Sequence, residues 1–333
     1  MRADIVHTHL EEAARVPAHL FHLKKWYFDL LTANHDFLFL YFASMHIAGV
    51  TAHSLTLHVA RPDLGIVLTR YIPVPGYEEA FDGKGCRVIS MPGGVIRITE
   101  EECALELSGN QCAVNLRYRG TGDIVSRPFL ISNATHPHIL WQPLQLKYCV
   151  SGFVVLDGKR IDVRDVEGYA DYVECTYPPS LVPVRSFLWG RLHHPDIDLT
   201  FVHARGGRGG REWSALYGKS YDGSLESDCL SVVPSFPVND LGPGRTGVER
   251  YDLHGMTTGG EILLKVRRVT VVHRGSFIDD QNISSAILRA AAKLLSRNPR
   301  STKFLSVADV FLVTGTTQRY MNNIPMIDER VIL

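Results

Sequence analysis

The sequence predicts a mainly β protein built as two antiparallel barrel or sandwich domains with few helices, and three observations lead there. From Trp26 onward, short runs rich in Val, Ile, Thr, Tyr and Phe recur at intervals of about 8 to 15 residues, separated by Gly, Pro, Asn and Asp clusters. Only two stretches carry helical spacing, which excludes an alternating βαβ design. The 333 residues exceed one ordinary domain, and Pro178-Pro179-Ser180-Leu181-Val182-Pro183 divides them near the middle, since consecutive prolines block both helix and ladder bonding. The expected domains are residues 1–180 and 181–333.

In chain order, Asp4 to Lys25 reads as a helical entry, with Thr8 as N-cap before Glu11 and Glu12 and a bend at Pro17. Phe37–Ile47, Ser54–Ala60, Val88–Met91, Ala104–Leu107, Ala113–Tyr118 and Gly152–Leu156 are the clearest strands of the first half. Asp198–Ala204, Trp213–Tyr217, Cys229–Val233 and Glu261–Val272 continue the pattern in the second. Phe37–Ile47 is apolar on both faces apart from Ser44 and His46, which predicts burial on two sides. A single later helix is expected near 284–297, where Ile287, Leu288, Ala291, Leu294 and Leu295 recur at helical spacing ahead of Pro299.

The segment Leu156–Tyr177 places acids and phenols on one strand. Asp157-Gly158 is a hairpin signal, because a type I′ turn needs positive φ at both central residues. The strand after it alternates faces, so Tyr169, Asp171, Val173 and Cys175 share one side while Tyr172, Glu174 and Thr176 share the other.

Composition excludes several function classes. Lys plus Arg equals Asp plus Glu at 35 each, which removes the bulk electrostatic argument for nucleic acid or an anionic membrane surface. The start, Met1 to Glu12, carries no basic and apolar signal pattern, and the longest apolar run, Phe37 to Val50, is too short for a membrane span of about 20 residues. A cytoplasmic protein with a neutral or local partner is the expectation. Six cysteines without CxxC spacing read as buried small side chains rather than a zinc knuckle or a disulfide framework. None of the 15 histidines falls in HExxH, and the pairs His7/His9, His136/His138 and His193/His194 read as lacking partner acids, so neither metal nor cofactor is expected. Gly242-Pro243-Gly244-Arg245-Thr246-Gly247 matches GxGxxG as a string, but no helix follows it, and Gly206–Arg211 reads as a hairpin connection. No GxSxG elbow is present.

Two places leave alternatives open. Trp26-Tyr27-Phe28-Asp29 is either an aromatic plug with an acid at a turn or a cavity wall beside a partly desolvated acid able to donate a proton. His46 is either a satisfied core histidine or a donor facing a ligand.

Trp26-Tyr27-Phe28-Asp29, Leu156-Asp157-Gly158 through Gly168-Tyr169-Ala170-Asp171-Tyr172, and Ser186–Leu192 with Trp189-Gly190 followed by Asp196-Ile197-Asp198 together resemble the family of carotenoid 1,2-hydratase (hydroxyneurosporene synthase) and its AttH-like relatives. The likeness runs from about Trp26 to Tyr217 and implies two lipocalin-like β domains. This chain departs from the family pattern at Tyr172, where the family has His, and at Glu167, which replaces a Gly. The family fold also serves enzymes that cyclise polyenes, pericyclases among them. The resemblance therefore implies a cofactor-independent cyclase of the Diels–Alder type, acting on an apolar polyene or polyketide in bacterial natural-product biosynthesis. Hydration or proton-initiated cyclisation of an isoprenoid alkene is the alternative, and a non-catalytic carrier of a lipophilic molecule the third. The expected pocket lies where the two domains meet. Tyr172 is the expected donor, with Asp171, Asp29 and Glu174 as further catalytic candidates, and Trp26, Tyr41, His46 and Trp189 shape the substrate. Asp171 and Tyr172 point opposite ways along a strand, so both reach one cavity only through a bulge.

Overall fold

The computed structural model describes residues 21–32, 36–47, 49–61, 66–82, 85–109, 112–132, 137–178, 182–206, 210–234, 250–276, 289, 290, 293 and 299–333. The chain divides into two compact units, Met1–Val182 with Ile278–Ser296 and Pro183–Phe277 with Arg297–Leu333, each built on its own antiparallel sheet.

The first sheet contains β1 (Phe21–Leu31), β2 (Phe37–Ile47), β3 (Val50–Arg61), β4 (Ile66–Val74), β5 (Glu78–Phe81), β6 (Arg87–Met91), β7 (Gly94–Ile98), β8 (Glu102–Gly109), β9 (Cys112–Gly120), β10 (Phe129–Ser132), β11 (Pro137–Leu156) and β12 (Lys159–Cys175). Its order is β4-β3-β2-β1-β12-β11-β9-β8-β7-β6-β5, with β10 added to β11. The second holds β13 (Val184–His194), β14 (Ile197–Gly206), β15 (Glu212–Ser220), β16 (Gly223–Ser227), β17 (Leu230–Pro234), β18 (Arg250–Thr257), β19 (Gly260–Ser276), β20 (Arg300–Thr314) and β21 (Thr317–Ile332). Its order is β16-β15-β14-β13-β21-β20-β19-β18-β17. In both units the first strand pairs with the last, β1 with β12 and β13 with β21.

Period-two patterning explains the strands. In β9, Cys112, Val114, Leu116 and Tyr118 are buried while Asn115, Arg117 and Arg119 are exposed. The Asp157-Gly158 hairpin forms as read, with φ of 51° and 74° at its two central residues, joining β11 to β12 through the Leu156–Lys159 pair. β2 is buried on both faces along most of its length. β11 curls through register shifts at Pro143/Gln145, Gln145/Tyr148 and Val150/Gly152. At Gly152 φ is +136°, and a Cβ there would lie 2.0 Å from the Asn115 carbonyl oxygen, so the close approach of β9 requires glycine.

The helical entry is corrected where it can be seen. Residues 4–20 lie outside the described residues, but Phe21–Lys25 are strand, paired with β2 and β12. Phe21 and Leu23 are buried while His22 and Lys24 are half-buried on the other side, a two-residue period that sheet pairing stabilises over a helix. Of the later helix, Arg289, Ala290 and Lys293 are helical and its remaining residues lie outside the described ones. The GxGxxG string also lies outside them, while the Gly206–Arg211 run connects β14 and β15, which pair as a hairpin. His193 and His194 do have acids nearby: His193 Nδ1 is 3.1 Å from Asp198 and His194 Nδ1 is 3.7 Å from Asp196, because the tight turn between β13 and β14 brings them together.

The first core runs through Trp26, Phe28, Leu40, Phe42, Leu57, Ile89, Leu105, Leu116, Tyr118 and Val154. The second runs through Leu199, Phe201, Leu216, Leu253, Ile262, Leu264, Val310 and Met326. Inside the second, Arg268 holds Asp328 at 2.7 Å beside Ser306, and the guanidinium lies 4.0 Å from the Phe304 ring centroid.

Candidate active site

Strand pairing sorts the residues of β12, β1, β2 and β3 into rows, because directly opposed residues in an antiparallel pair share a face. On the face turned to the first core, one row is Tyr172–Trp26–Phe42–Leu55. The next row outward is Glu174–Lys24–Ser44–His53, and beyond it His22–His46–Thr51. This face therefore grades from apolar rings to ionisable groups at the open end of the sheet. On the opposite face, Asp171–Tyr27–Tyr41–Thr56 lies beside Tyr169–Asp29–Phe39–His58.

The eight residues singled out in the sequence thus separate. Trp26, Tyr172, Glu174 and His46 lie on the core-facing side; Asp29, Asp171 and Tyr41 lie on the other; Trp189 belongs to the second unit. No bulge interrupts the β1–β12 pairing that would bring Asp171 and Tyr172 to one side.

The core-facing group is a connected network. The Tyr172 hydroxyl donates to Glu174 Oε2 at 2.9 Å, and His22 Nε2 meets Glu174 Oε1 at 2.6 Å. The Tyr172 ring lies 5.2 Å from that of Trp26 and 5.2 Å from the Arg87 guanidinium. Burial and the Glu174 charge push the Tyr172 phenol well above its ordinary pKa. Burial by itself would raise the Glu174 carboxyl, but hydrogen bonding and charge from His22, the Tyr172 bond and the Lys24 charge outweigh it and hold the group below the usual carboxylate value. Lys24 bonds Glu79 at 3.0 Å, and Arg87 lies 3.6 Å from the same carboxylate. Of these groups, His22 and Glu79 line an open pocket of about 610 Å³ together with Ser44, His46, Thr51, His53 and Tyr77.

The opposite face is aromatic and dry. Asp29, Phe39, Thr56, His58 and Tyr169 are fully buried, Tyr27, Tyr41, Trp141 and Asp171 nearly so. The Trp141 indole donates to Asp171 Oδ2 at 2.9 Å and so orients that carboxylate. The Phe39 ring stacks on His58 at 4.6 Å, with Tyr27 at 6.0 Å and Tyr41 at 6.1 Å. Lys25 places its ammonium 4.7 Å from the Tyr41 ring centroid and 5.2 Å from that of Tyr27. The outer face of a barrel strand ordinarily meets water and alternates polar with apolar; here it carries carboxylates among stacked rings.

In the second unit, Trp189 sits opposite Val202 and Glu329, with the Lys303 ammonium 5.7 Å from its ring and Lys303 paired with Glu329.

Sequence reasoning missed His22, Lys24, Lys25, His53, His58, Tyr77 and Trp141. A period-two reading of Phe21–Lys25 would have exposed the first two, since His22 and Lys24 alternate with Phe21 and Leu23. No short-range signal marks Trp141, which reaches Asp171 only through the β11–β12 pairing.

Three solved structures share this architecture. CghA superposes with a TM-score of 0.64 at 10% identity, covering 93% of this chain and 88% of that one. An AttH-like protein from Nitrosomonas europaea gives 0.57 at 13% identity, covering 94% and 92%. Kievitone hydratase from Nectria haematococca gives 0.53 at 8% identity, covering 94% and 89%. No protein-family model matches the sequence, and no curated protein sequence does. At these identities the likeness is one of fold: the chain has the mainly β, double lipocalin-like architecture that its sequence motifs implied.

Proposed function

We propose that the chain is a cofactor-independent cyclase that folds an apolar, alkene-rich small molecule against the aromatic face of its first sheet, with ring closure of the Diels–Alder type as the reaction. The observation that carries this reading is the pair of buried rows Asp171–Tyr27–Tyr41–Thr56 and Tyr169–Asp29–Phe39–His58, two carboxylates set among stacked rings in a surface closed to water. A flexible polyene gains by leaving water for such a surface. Holding its reacting ends together supplies the entropic part of the barrier, which for well-oriented intramolecular reactions reaches about 7–11 kcal/mol. Phenols at the edge of the rings donate to and polarise an activating carbonyl. Asp171, Asp29 and Tyr41 touch substrate in this reading, and Trp141 positions Asp171. Tyr172, Glu174 and Trp26 support the strand from its other face.

Water addition to the same kind of alkene is the second reading, favoured by the two buried carboxylates and by the hydratase among the structural neighbours. The test is incubation of the purified chain with a linear polyene carrying a carbonyl group, with product masses followed by chromatography. An isomer of unchanged mass supports cyclisation, and a gain of one water supports hydration. A polyene bound but unaltered supports a carrier, and failure to bind any apolar ligand overturns all three. Asp29→Asn and Asp171→Asn separate the first two, since proton-initiated chemistry needs the acid and a pericyclic closure survives while the geometry persists.

A further inference from the structure

The open pocket at the end of the first barrel is not used by the reading above, and its chemistry is different. Its rows, Glu174–Lys24–Ser44–His53 and His22–His46–Thr51, face the core side of the sheet, across the strands from the aromatic rows. We propose that this pocket is a second ligand site, built for a small uncharged molecule rich in hydroxyl groups, with His22, His46 and His53 as its hydrogen-bonding side chains.

Charge argues for a neutral ligand. Lys24 and Arg87 both converge on Glu79, at 3.0 and 3.6 Å, and His22 is held on Glu174 at 2.6 Å. Two cations and two carboxylates cancel inside the site, so a charged ligand would have to break a pair that is mostly screened from water. Among the described residues no group of three His, Cys, Asp or Glu is arranged to hold a metal ion.

Hydrogen bonding argues for hydroxyls. His46 Nδ1 is bound to Thr51 Oγ1 at 2.9 Å and His53 Nδ1 to Ser44 Oγ at 3.0 Å, each across the β2–β3 hairpin. Each imidazole thereby commits one nitrogen and keeps Nε2 for a ligand, while the two hydroxyls complete their own bonding with it. Burial lowers the His53 pKa, which keeps that ring neutral and able to accept as well as donate. Tyr77 closes one wall, edge-on to His53 at 5.0 Å and to Phe42 at 5.0 Å, an apolar plate for the C–H face of a polyol. The 610 Å³ of the pocket holds about 20 waters at about 30 Å³ each, room for a six-carbon polyol with bridging waters.

Glu174 gives the site its chemical bias. It is the one carboxylate here that is almost wholly buried, its side chain 5% exposed, and it receives His22 on one oxygen and Tyr172 on the other. A carboxylate so held engages Nε2 of His22, fixes the ring's orientation and leaves Nδ1 as the nitrogen for a ligand hydroxyl. Glu174 and Tyr172 are positioning residues in this arrangement.

The test is nuclear magnetic resonance of the histidine rings in the full chain, titrated separately with D-glucose, myo-inositol and inorganic phosphate. The expected result is a saturable shift of His22, His46 and His53 with glucose or inositol, none at the exposed His254 of the second unit, and no saturation with phosphate. Ser44→Ala combined with His53→Ala weakens the polyol at least tenfold, and Thr51→Ala, at the exposed rim, gives a milder loss in case the double variant folds poorly. Polyol shifts that do not saturate, phosphate binding tighter than either polyol, or an affinity unchanged in all the variants overturns the proposal. Asp171→Asn, on the other face, leaves polyol binding unchanged.

Discussion

Replacing Glu174 with Gln tests the core-facing network with a measurable sign. The amide keeps the volume and the Tyr172 contact and removes the charge that His22 and Lys24 face. Hydrogen bonds to a charged group contribute about 1.5–3 kcal/mol each, and the imidazole bond at 2.6 Å is the one most weakened. A loss of about 2–3 kcal/mol at pH 7 follows. The pH dependence is the sharper signature. Because the folded-state pKa of Glu174 lies below its unfolded value, its stabilisation is fully present above the unfolded pKa of about 4.3 and disappears as pH falls through the folded value. Urea unfolding followed by near-ultraviolet circular dichroism at pH 7, 5 and 3 should show wild type and Glu174→Gln converging as the pH drops. A gap that stays constant from pH 7 to pH 3, or no gap at pH 7, would refute the assignment of a charged, doubly held Glu174.

Three further outcomes follow from the same structure. Asp328→Asn leaves Arg268 buried against a neutral group inside the second core, and a loss of about 3–5 kcal/mol is expected, read as a fall in the urea midpoint. Gly152→Ala drives a methyl into the Asn115 carbonyl at positive φ and destabilises the first unit by more than about 1 kcal/mol, visible as a lower melting temperature, whereas Gly158→Ala, with nothing near its Cβ, carries only the strain of its left-handed backbone. Of the six thiols, exposed Cys229 reacts first with iodoacetamide at pH 8. Cys103 and Cys175, whose pKa values burial pushes up to about 12, stay unmodified until the chain unfolds, and mapping labelled peptides by mass tells them apart.

How much of this was legible in the sequence depends on how local each feature is. The Asp157-Gly158 turn and the doubly buried β2 are written within a few residues, and both were readable. Strand β11 was not read beyond its last residues, because Pro143 and three register shifts break its alternation. At β1, Phe21-His22-Leu23-Lys24-Lys25 satisfies a helical reading as well as a strand, and pairing with β2 and β12 decides between them. Alternation alone separates Asp171 from Tyr172, yet it cannot say which side faces the core. That is settled by contacts such as His22 with Glu174, 152 residues apart in sequence. The same distance hid the site. Trp141 orients Asp171 and His22 holds Glu174 only once the sheet closes first strand to last.

The most direct test of the proposed cyclase compares variants from the two faces of the first sheet on one linear polyene substrate. Turnover to an isomer of the same mass is measured for wild type, for Tyr41→Ala and Phe39→Ala on the aromatic face, and for His53→Ala and Thr51→Ala at the pocket, with folding verified by circular dichroism. The account predicts that turnover drops at least tenfold in the folded aromatic-face variants and holds within about twofold in the pocket variants, a tenfold change being about 1.4 kcal/mol of barrier. The opposite pattern, activity lost at the pocket and kept on the aromatic face, would contradict it.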